Sequence, residues 1–462
     1  MKNKFLYINC DIIKLKYKKF RKLKRGMCMI LFNPVVVSIT VMIILCLLKF
    51  NVLLAILVSA IVAGVCSGMP IGDTMSTLVE GMGGNSETAL SYILLGALAI
   101  AVSKTGLASI LARKISKVVK GKKLTLILLI AFISCFSQNL IPVHIAFIPI
   151  LIPSLLKLMN KLKIDRRAVA CALTFGLKTP YIVLPVGFGL IFQNIIRDQM
   201  IANGIDATTN MVTSVMWIAG IGMVLGLLIA VFISYRKPRD YKDVTIDGLD
   251  ENEIDEKMTK KHWCALLGAL TAFLVQILTG SLPLGGLCAI IVLFLTGAVK
   301  FNEIDDLLDG GVKMMGLIGF IMLVAAGYGN VLRETGSVEA LIASVTGLVG
   351  DSKFMGALLM LLVGLLVTMG IGSSFGTLPI IAAIYCPLGV SLGFSTPAII
   401  LLLGVAGALG DAGSPASDST LGPTAGLNVD KQHDHIWDTC VPTFIHYNIP
   451  LLIFGMIGAM LL

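Results

Sequence analysis

Two carboxylates, Asp411 and Asp418, stand where a hydrophobic chain should not carry them. They lie in PAIILLLGVAGALGDAGSPASDSTLGPTAG (397–426), which begins as a membrane-type apolar helix and then fills with Gly, Ser, Thr and Pro. Carboxylates in such a setting can take up a hard cation or a proton, and Ser414, Ser417, Ser419 and Thr420 add hydroxyl oxygens beside them. An earlier stretch, AVACALTFGLKTPYIVLPVG (168–187), carries Lys178 and Thr179 and is expected to break in the same way around Gly176, Lys178 and Pro180. Lys178 and Asp411 occupy roughly equivalent points in the two stretches. They read either as a buried ion pair holding two halves together, or as a cation facing an anionic group while Asp411 or Asp418 accepts the ion.

Two short polar links supply further oxygens. SQNLIPVH (137–144) contributes Ser137, Gln138 and Asn139, with His144 following, and GIGSSFGTLP (370–379) contributes Gly372, Ser373, Ser374 and Thr377. Free carbonyl and N–H groups at half-helix ends add to them. A Na⁺ site is therefore expected at Asn139, Ser374, Asp411 and Asp418. The plainer reading of these residues is ordinary close helix packing by Ser and Gly, and that of His144 is a hydrogen-bonded core histidine. His433, Asp434 and His435 (KQHDHIWD) look like a metal cluster, but their position favours structural or gating contacts. Gly-rich GMGGNS (81–86) follows no strand and is not a nucleotide loop. Neither a Walker motif, a nucleophile elbow nor a zinc-protease motif is present, so an intramembrane enzyme finds no support.

The elements that position these groups follow from composition. Of 462 residues, 56% are hydrophobic and 14% charged, with a mean hydropathy of +0.91; ordinary soluble domains carry about 25% charged residues. The chain is expected to be an all-α polytopic membrane protein. Unpaired backbone groups in hydrocarbon cost several kcal/mol each, and a carboxylate at the bilayer centre adds roughly 2.5–3.5 kcal/mol, so the 397–426 stretch must be a discontinuous helix facing a wet, protein-lined cavity. The net charge of +10 comes from Lys and Arg flanking apolar segments, as the positive-inside rule expects, and nucleic acid is not an expected partner. The cysteines, scattered among apolar residues with no CxxC pair, read as reduced small hydrophobes.

Apolar segments run from 30–48 to 441–462. Two pairs, 124–136 with 145–156 and 354–371 with 378–390, are read as re-entrant hairpins, because a 13-residue arm reaches only about 20 Å across a core of roughly 30 Å. The chain also repeats. KTGLASILARKISKVVKG (104–121) aligns with ETGSVEALIASVTGLVGD (334–351), and DTMSTLVEGMGG (73–84) resembles EIDDLLDGGVKM (303–314), at an offset of about 230. Each unit reads as about five spans plus one re-entrant hairpin, and an odd number of crossings forces the second unit to be inverted. The boundaries are a polybasic extension at 1–28, a first repeat at 29–235, a cytoplasmic linker at 236–262 and a second repeat at 263–462. The first 25 residues hold ten Lys or Arg. This topology puts residue 30 outside, where such an arm breaks the positive-inside rule, so residues 1–26 are expected to lie outside the native protein, with Met27 or Met29 as initiator.

The run GDAGSPASDSTLGPTAGLNVDKQHDHIWDTCVPTFIHYNIPLLIFG (410–455), with GGNSETALSYILLGALAIAVSKTGL (83–107), resembles the NhaC-like sodium/proton antiporter family of the ion transporter superfamily. Within that family it is most similar to the subgroup of amino-acid, histidine-type permeases. The resemblance covers the chain from about residue 30 to its end. It implies inverted repeats, two hairpins, discontinuous helices around a central site, often a homodimer, and Na⁺ or H⁺ as coupling ion without a further cofactor. The expected activity is ion-coupled alternating access at the cytoplasmic membrane: Na⁺/H⁺ antiport, or Na⁺- or H⁺-driven uptake of an amino acid whose carboxylate meets Lys178.

Overall fold

The computed structural model describes residues 31–48, 50–105, 110, 114, 115, 119, 121–139, 144–185, 188–242, 244, 259–279, 281–349, 352–371 and 374–462. Residues 1–30, the tip at 140–143, Gly372, Ser373 and most of the 104–121 amphipathic stretch and the 236–262 linker lie outside the described residues, as do the side chains of Ser137, Gln138, Asn139 and His144.

Among the described residues all regular secondary structure is helical. Helices α1 (Pro34–Leu47) and α2 (Val52–Cys66) are followed by α3 (Ile71–Gly81) and α4 (Ser86–Lys104). Then come α5 (Lys123–Asn139), α6 (His144–Lys161), α7 (Arg166–Val183), α8 (Phe188–Ala202) and α9 (Thr209–Ser234), whose last turn is a π-helix. The second half runs α10 (Lys260–Thr279), α11 (Leu282–Leu295), α12 (Ile304–Glu334) and α13 (Ser337–Val349). It continues with α14 (Lys353–Ile371), α15 (Ser374–Ser391), α16 (Thr396–Ala408), α17 (Asp418–Leu427) and α18 (His435–Leu461). Four runs among the described residues are long and apolar enough to cross a membrane alone: α9, α14, α18 and Met315–Glu334 of α12. A bent pair, Ile71–Gly84 with Ala89–Val102, makes a fifth. Large apolar side chains stay exposed along these helices, Phe132, Trp217, Leu278 and Ile457 among them, as expected where the solvent is lipid.

The sequence expectations need two corrections. Helix α7 does not break at Gly176, Lys178 and Pro180; it runs unbroken from Arg166 to Val183, and the interruption comes at Leu184. Proline removes one backbone donor, but so near the helix end only one carbonyl loses its partner, and the Leu184 N–H still reaches the Pro180 carbonyl at 2.7 Å. The hairpin arms are also longer than their apolar segments suggest. They hold 17, 18, 19 and 18 residues, or about 26–28 Å of helix, because polar residues at both ends join the helix. Arm length therefore gives no ground for re-entrance.

Helices of the first and second halves of the chain pack against each other head to tail. Along α12, Gly310, Gly311, Gly319 and Gly327 meet Ile100, Ala97, Ala89 and Leu78 in turn, so α12 runs antiparallel to α3 and α4. The Asn330 side chain extends the series by donating to the Thr77 carbonyl at 3.0 Å. Helices α9 and α18 also run antiparallel, with Gly222 against Pro450, Gly226 against His446 and Ile218 against Gly458. Small residues allow this approach; a Cβ on Gly311 would stand 2.6 Å from the Ala97 nitrogen. Two further close contacts are made through glycine: Gly176 of α7 lies on Ser134 of α5, and Gly364 of α14 lies on Ala406 of α16.

Overpacking costs about 1–3 kcal/mol, so Gly311→Val should lower the thermal unfolding midpoint in detergent. Gly72→Ala, where an added methyl meets open space, should not.

Candidate functional site

Between α16 and α17 the backbone unwinds over residues 409–417. Gly410 and Gly413 take φ of +83° and +95°, a region L side chains avoid, and a Cβ on Gly410 would lie 2.4 Å from the Leu365 carbonyl oxygen. The exposed backbone groups are paired internally. Asn448 of α18 accepts from Gly410 N at 2.9 Å and donates to the Ala412 carbonyl at 2.6 Å. Ser414 donates to the Met369 carbonyl at 3.2 Å, and Thr420 donates to the carbonyls of Ser414 and Ser417. Ser417 caps α17 by accepting from Ser419 N.

This unwound loop holds Asp411 against α7. One carboxylate oxygen, Oδ2, accepts from Lys178 Nζ, from Ser374 Oγ at 2.9 Å and from Tyr181 Oη at 3.3 Å. The other, Oδ1, accepts from Ser417 Oγ. Lys178 also reaches Asp418 Oδ1 at 3.4 Å. Asp411 and Lys178 are buried, whereas the Asp418 side chain keeps 27% of its exposure. Asp418 stands in the first turn of α17, where the positive end of the helix dipole favours a carboxylate. Ser419 ties the loop together by donating to the Asp411 carbonyl at 3.0 Å and meeting Ser417 Oγ at 2.9 Å.

Of the residues singled out from sequence, Lys178, Ser374, Asp411, Ser417, Asp418 and Ser419 come together here. Ser414 and Thr420 instead brace the loop's backbone. Thr377 is buried on α15, and Thr179 is buried with its hydroxyl unpaired. Tyr181, Thr174 and Asn448 were not foreseen. Tyr181, three residues beyond Lys178 and so on the same helix face, also bonds Ser374 at 2.8 Å. Thr174, one turn earlier, donates to the Ser419 carbonyl at 2.9 Å. An amide inside the apolar final span was the available signal for Asn448.

Toward the basic end of the bundle a second buried pair closes the same interface. Arg166 donates to both oxygens of Asp430, at 2.7 and 2.6 Å, a two-pronged geometry. It also donates to the Leu427 carbonyl at 2.9 Å and to Asn160, and its guanidinium lies 4.2 Å from the Tyr241 ring centroid. The contacts Lys178–Asp411, Thr174–Ser419 and Arg166–Leu427 run in opposite directions along the chain, so α7 lies antiparallel to the loop and α17. Burial alone would raise the Asp430 pKa, but the hydrogen bonds and charge of Arg166, with help from Gln432, hold it below the usual carboxylate range. Burial drives the neighbouring His433 imidazole down to about 3, Arg166 and Arg239 adding to it against the pull of Asp438. Its Nε2 meets Thr439 Oγ1 at 2.7 Å. His435 bonds Thr424 and the Pro415 carbonyl. Among the described residues no cluster of three or more His, Cys, Asp or Glu could hold a metal ion.

The family model described as the Na+/H+ antiporter family matches residues 172–456, which include Lys178, Ser374, Asp411 and Asp418, and a second Na+-H+ antiporter family model matches residues 33–119. The chain belongs to the Na+/H+ antiporter family. It is 51% identical to an uncharacterized membrane protein of Vibrio parahaemolyticus, covering 93% of this chain and 100% of the relative. A Haemophilus influenzae protein, also an uncharacterized membrane protein, is 49% identical over 94% of this chain and all of its own length. A Bacillus subtilis relative whose provisional name is amino acid transporter YuiF is 48% identical over 93% of this chain and all of its own length. The crystal structure of the Alcanivorax borkumensis YdaH transporter is similar at a TM-score of 0.43 and 14% identity, covering 84% of this chain and 88% of the other. This antiporter-family chain is a membrane transporter, not an enzyme.

Two outcomes test the closing layer. Asp430→Asn leaves Arg166 buried and unpaired, so it should destabilise by about 3–5 kcal/mol in detergent unfolding. Because the folded Asp430 pKa is lowered, its stabilising contribution is complete above the unfolded carboxylate value and disappears as pH falls through the folded one. His433 acts higher. Its folded form stays neutral while the unfolded form protonates near 6.5, so stability should decline as pH falls from there toward about 3. The decline should be shallower in His433→Gln when unfolding midpoints are followed against pH.

Proposed function

We propose that this transporter exchanges Na⁺ for H⁺ across the cytoplasmic membrane, with a cation and the Lys178 ammonium competing for Asp411. The observation that carries the reading is the buried contact of Lys178 with Asp411 and Asp418, made between a continuous helix and an unwound one. In the present arrangement Lys178, Ser374, Tyr181 and Ser417 saturate the Asp411 carboxylate. A cation entering beside Asp418 can bind only by displacing the ammonium, and hydroxyl oxygens of Ser374 and Ser417 are then at hand as hard ligands. The displaced lysine gives up its proton to the side from which the cation came; once the site faces the other side, the cation leaves, Lys178 takes up a proton there, and one exchange is complete.

Alternating access follows from two inverted repeats, each with a hairpin whose tip reaches the centre. The head-to-tail pairing of α12 with α3–α4, of α9 with α18 and of α7 with α17 supports this topology, and Ser374 at the Asp411 carboxylate supports the place of the second tip. The basic end, bearing Lys123, Lys163, Arg236 and Lys237, is assigned to the cytoplasm.

A second reading is Na⁺- or H⁺-driven amino-acid uptake, favoured by the amino acid transporter name of the Bacillus subtilis relative. There Lys178 exchanges Asp411 for the substrate carboxylate.

Proteoliposomes distinguish the two. With a Na⁺ gradient imposed, exchange gives a change in lumenal pH without histidine, whereas uptake gives accumulation of labelled histidine. Asp411→Asn should slow the Na⁺-driven signal by at least about tenfold, a barrier increase of ~1.4 kcal/mol. Full transport in both Asp411→Asn and Asp418→Asn would contradict the ion site.

A further inference from the structure

A second site lies at the basic end, well away from Asp411. A cleft of about 180 Å³ opens where the start of α5, the α6–α7 turn and the last turn of α9 meet. Its polar rim is cationic: Lys123, Lys163, Arg236 and Lys237. Its floor and wall are apolar, with Leu124, Ile127, Val231 and Phe232. The rim charges are poorly neutralised. Asp165, the carboxylate in the lining, is already engaged by the Arg167 backbone N–H and guanidinium. Lys163 meets Asp240 at 2.8 Å, but both side chains are more than half exposed, where such a pair is worth little. Among the described residues Arg236 and Lys237 have no ion-pair partner.

Two apolar tracks lead from this rim. On α5 the exposed residues Leu124, Leu128 and Phe132 follow one another at four-residue spacing, so they line one face of the helix. On α9 the exposed residues Leu225, Leu228 and Phe232, spaced three and four apart, also share one face. The π-turn Ala230–Ser234 that ends α9 leaves Phe232 and Ile233 exposed, with Ser234 and Tyr235 between them and Arg236, and π-turns often mark functional places. An anionic group bounded on one side by cations and continued by two hydrocarbon tracks is the outline of a phospholipid.

We propose that this cleft binds the phosphate headgroup of an anionic phospholipid, with the acyl chains lying along α5 and α9. Arg236 and Lys237 supply the strongest attraction, since no carboxylate among the described residues pairs with them. Lys123 and Lys163 close the rim from the opposite side. Headgroups without net charge bring a cation of their own into the same cleft and are disfavoured.

The test is binding of phosphatidylglycerol to the delipidated full chain in neutral detergent, read by native mass spectrometry alongside phosphatidylcholine and inorganic phosphate. Phosphatidylglycerol should bind at least tenfold more tightly than phosphatidylcholine. At roughly fivefold per surface cation removed, Arg236→Gln with Lys237→Gln should weaken it about 25-fold. The swap Arg236→Lys with Lys237→Arg should retain binding, which separates lost charge from lost fold. Equal binding of the two lipids, or an unchanged affinity in the glutamine variant, would overturn the proposal. Displacement of phosphatidylglycerol by inorganic phosphate at matching concentration would also overturn it, marking a site for free phosphate instead.

Discussion

Bringing a lysine and an aspartate out of water into the middle of an apolar protein is the constraint on which the rest of this structure depends. The effective penalty is several kcal/mol per ion, and only mutual contact with full hydrogen bonding offsets it. Lys178 and Asp411 meet that condition through the hydroxyls of Ser374, Tyr181 and Ser417. Those hydroxyls come from α15, α7 and the unwound loop, so the pair is formed only when three segments distant in sequence arrive together. The unwound backbone at 409–417 incurs a second cost, met by Asn448, Met369 and the serines that brace it. Such expense in a membrane interior points to work rather than stability.

Much of this was legible in the sequence because hydrocarbon tolerates so few exceptions. Two carboxylates and a run of Gly and Ser inside a hydrophobic stretch leave little choice but an interrupted helix, and the helix is interrupted over 409–417, between Ala408 and Asp418. The same reasoning failed at Pro180, because a proline close to a helix end costs only one hydrogen bond, and local composition cannot reveal that Lys178 is held by a partner far away in the chain. It also misjudged the hairpin arms. Polar residues such as Lys123 and Lys161 extend helices beyond the apolar core of each segment, and helix length follows backbone pairing, not hydropathy. Tyr181 and Asn448 were missed for a related reason: their chemistry is ordinary until the neighbours that they bond are known.

The head-to-tail packing of α12 on α3–α4, of α18 on α9 and of α17 on α7 gives the ion pair a setting that can change. Interfaces of this kind, lined by Gly and Ala in close contact, can rock as bodies without losing their internal hydrogen bonds. The buried Arg166–Asp430 pair closes one end of the same interface, twelve residues of α7 from Lys178. The two buried pairs therefore share one helix, and motion of α7 relative to α17 acts on both.

Competition between a cation and the Lys178 ammonium for one carboxylate is most directly tested by proton release. Purified protein in weakly buffered detergent solution should release protons when NaCl is added, but not when choline chloride is added, and Asp411→Asn should release none. Sodium binding with no accompanying proton release, or equal release from wild type and Asp411→Asn, would contradict competition at Asp411.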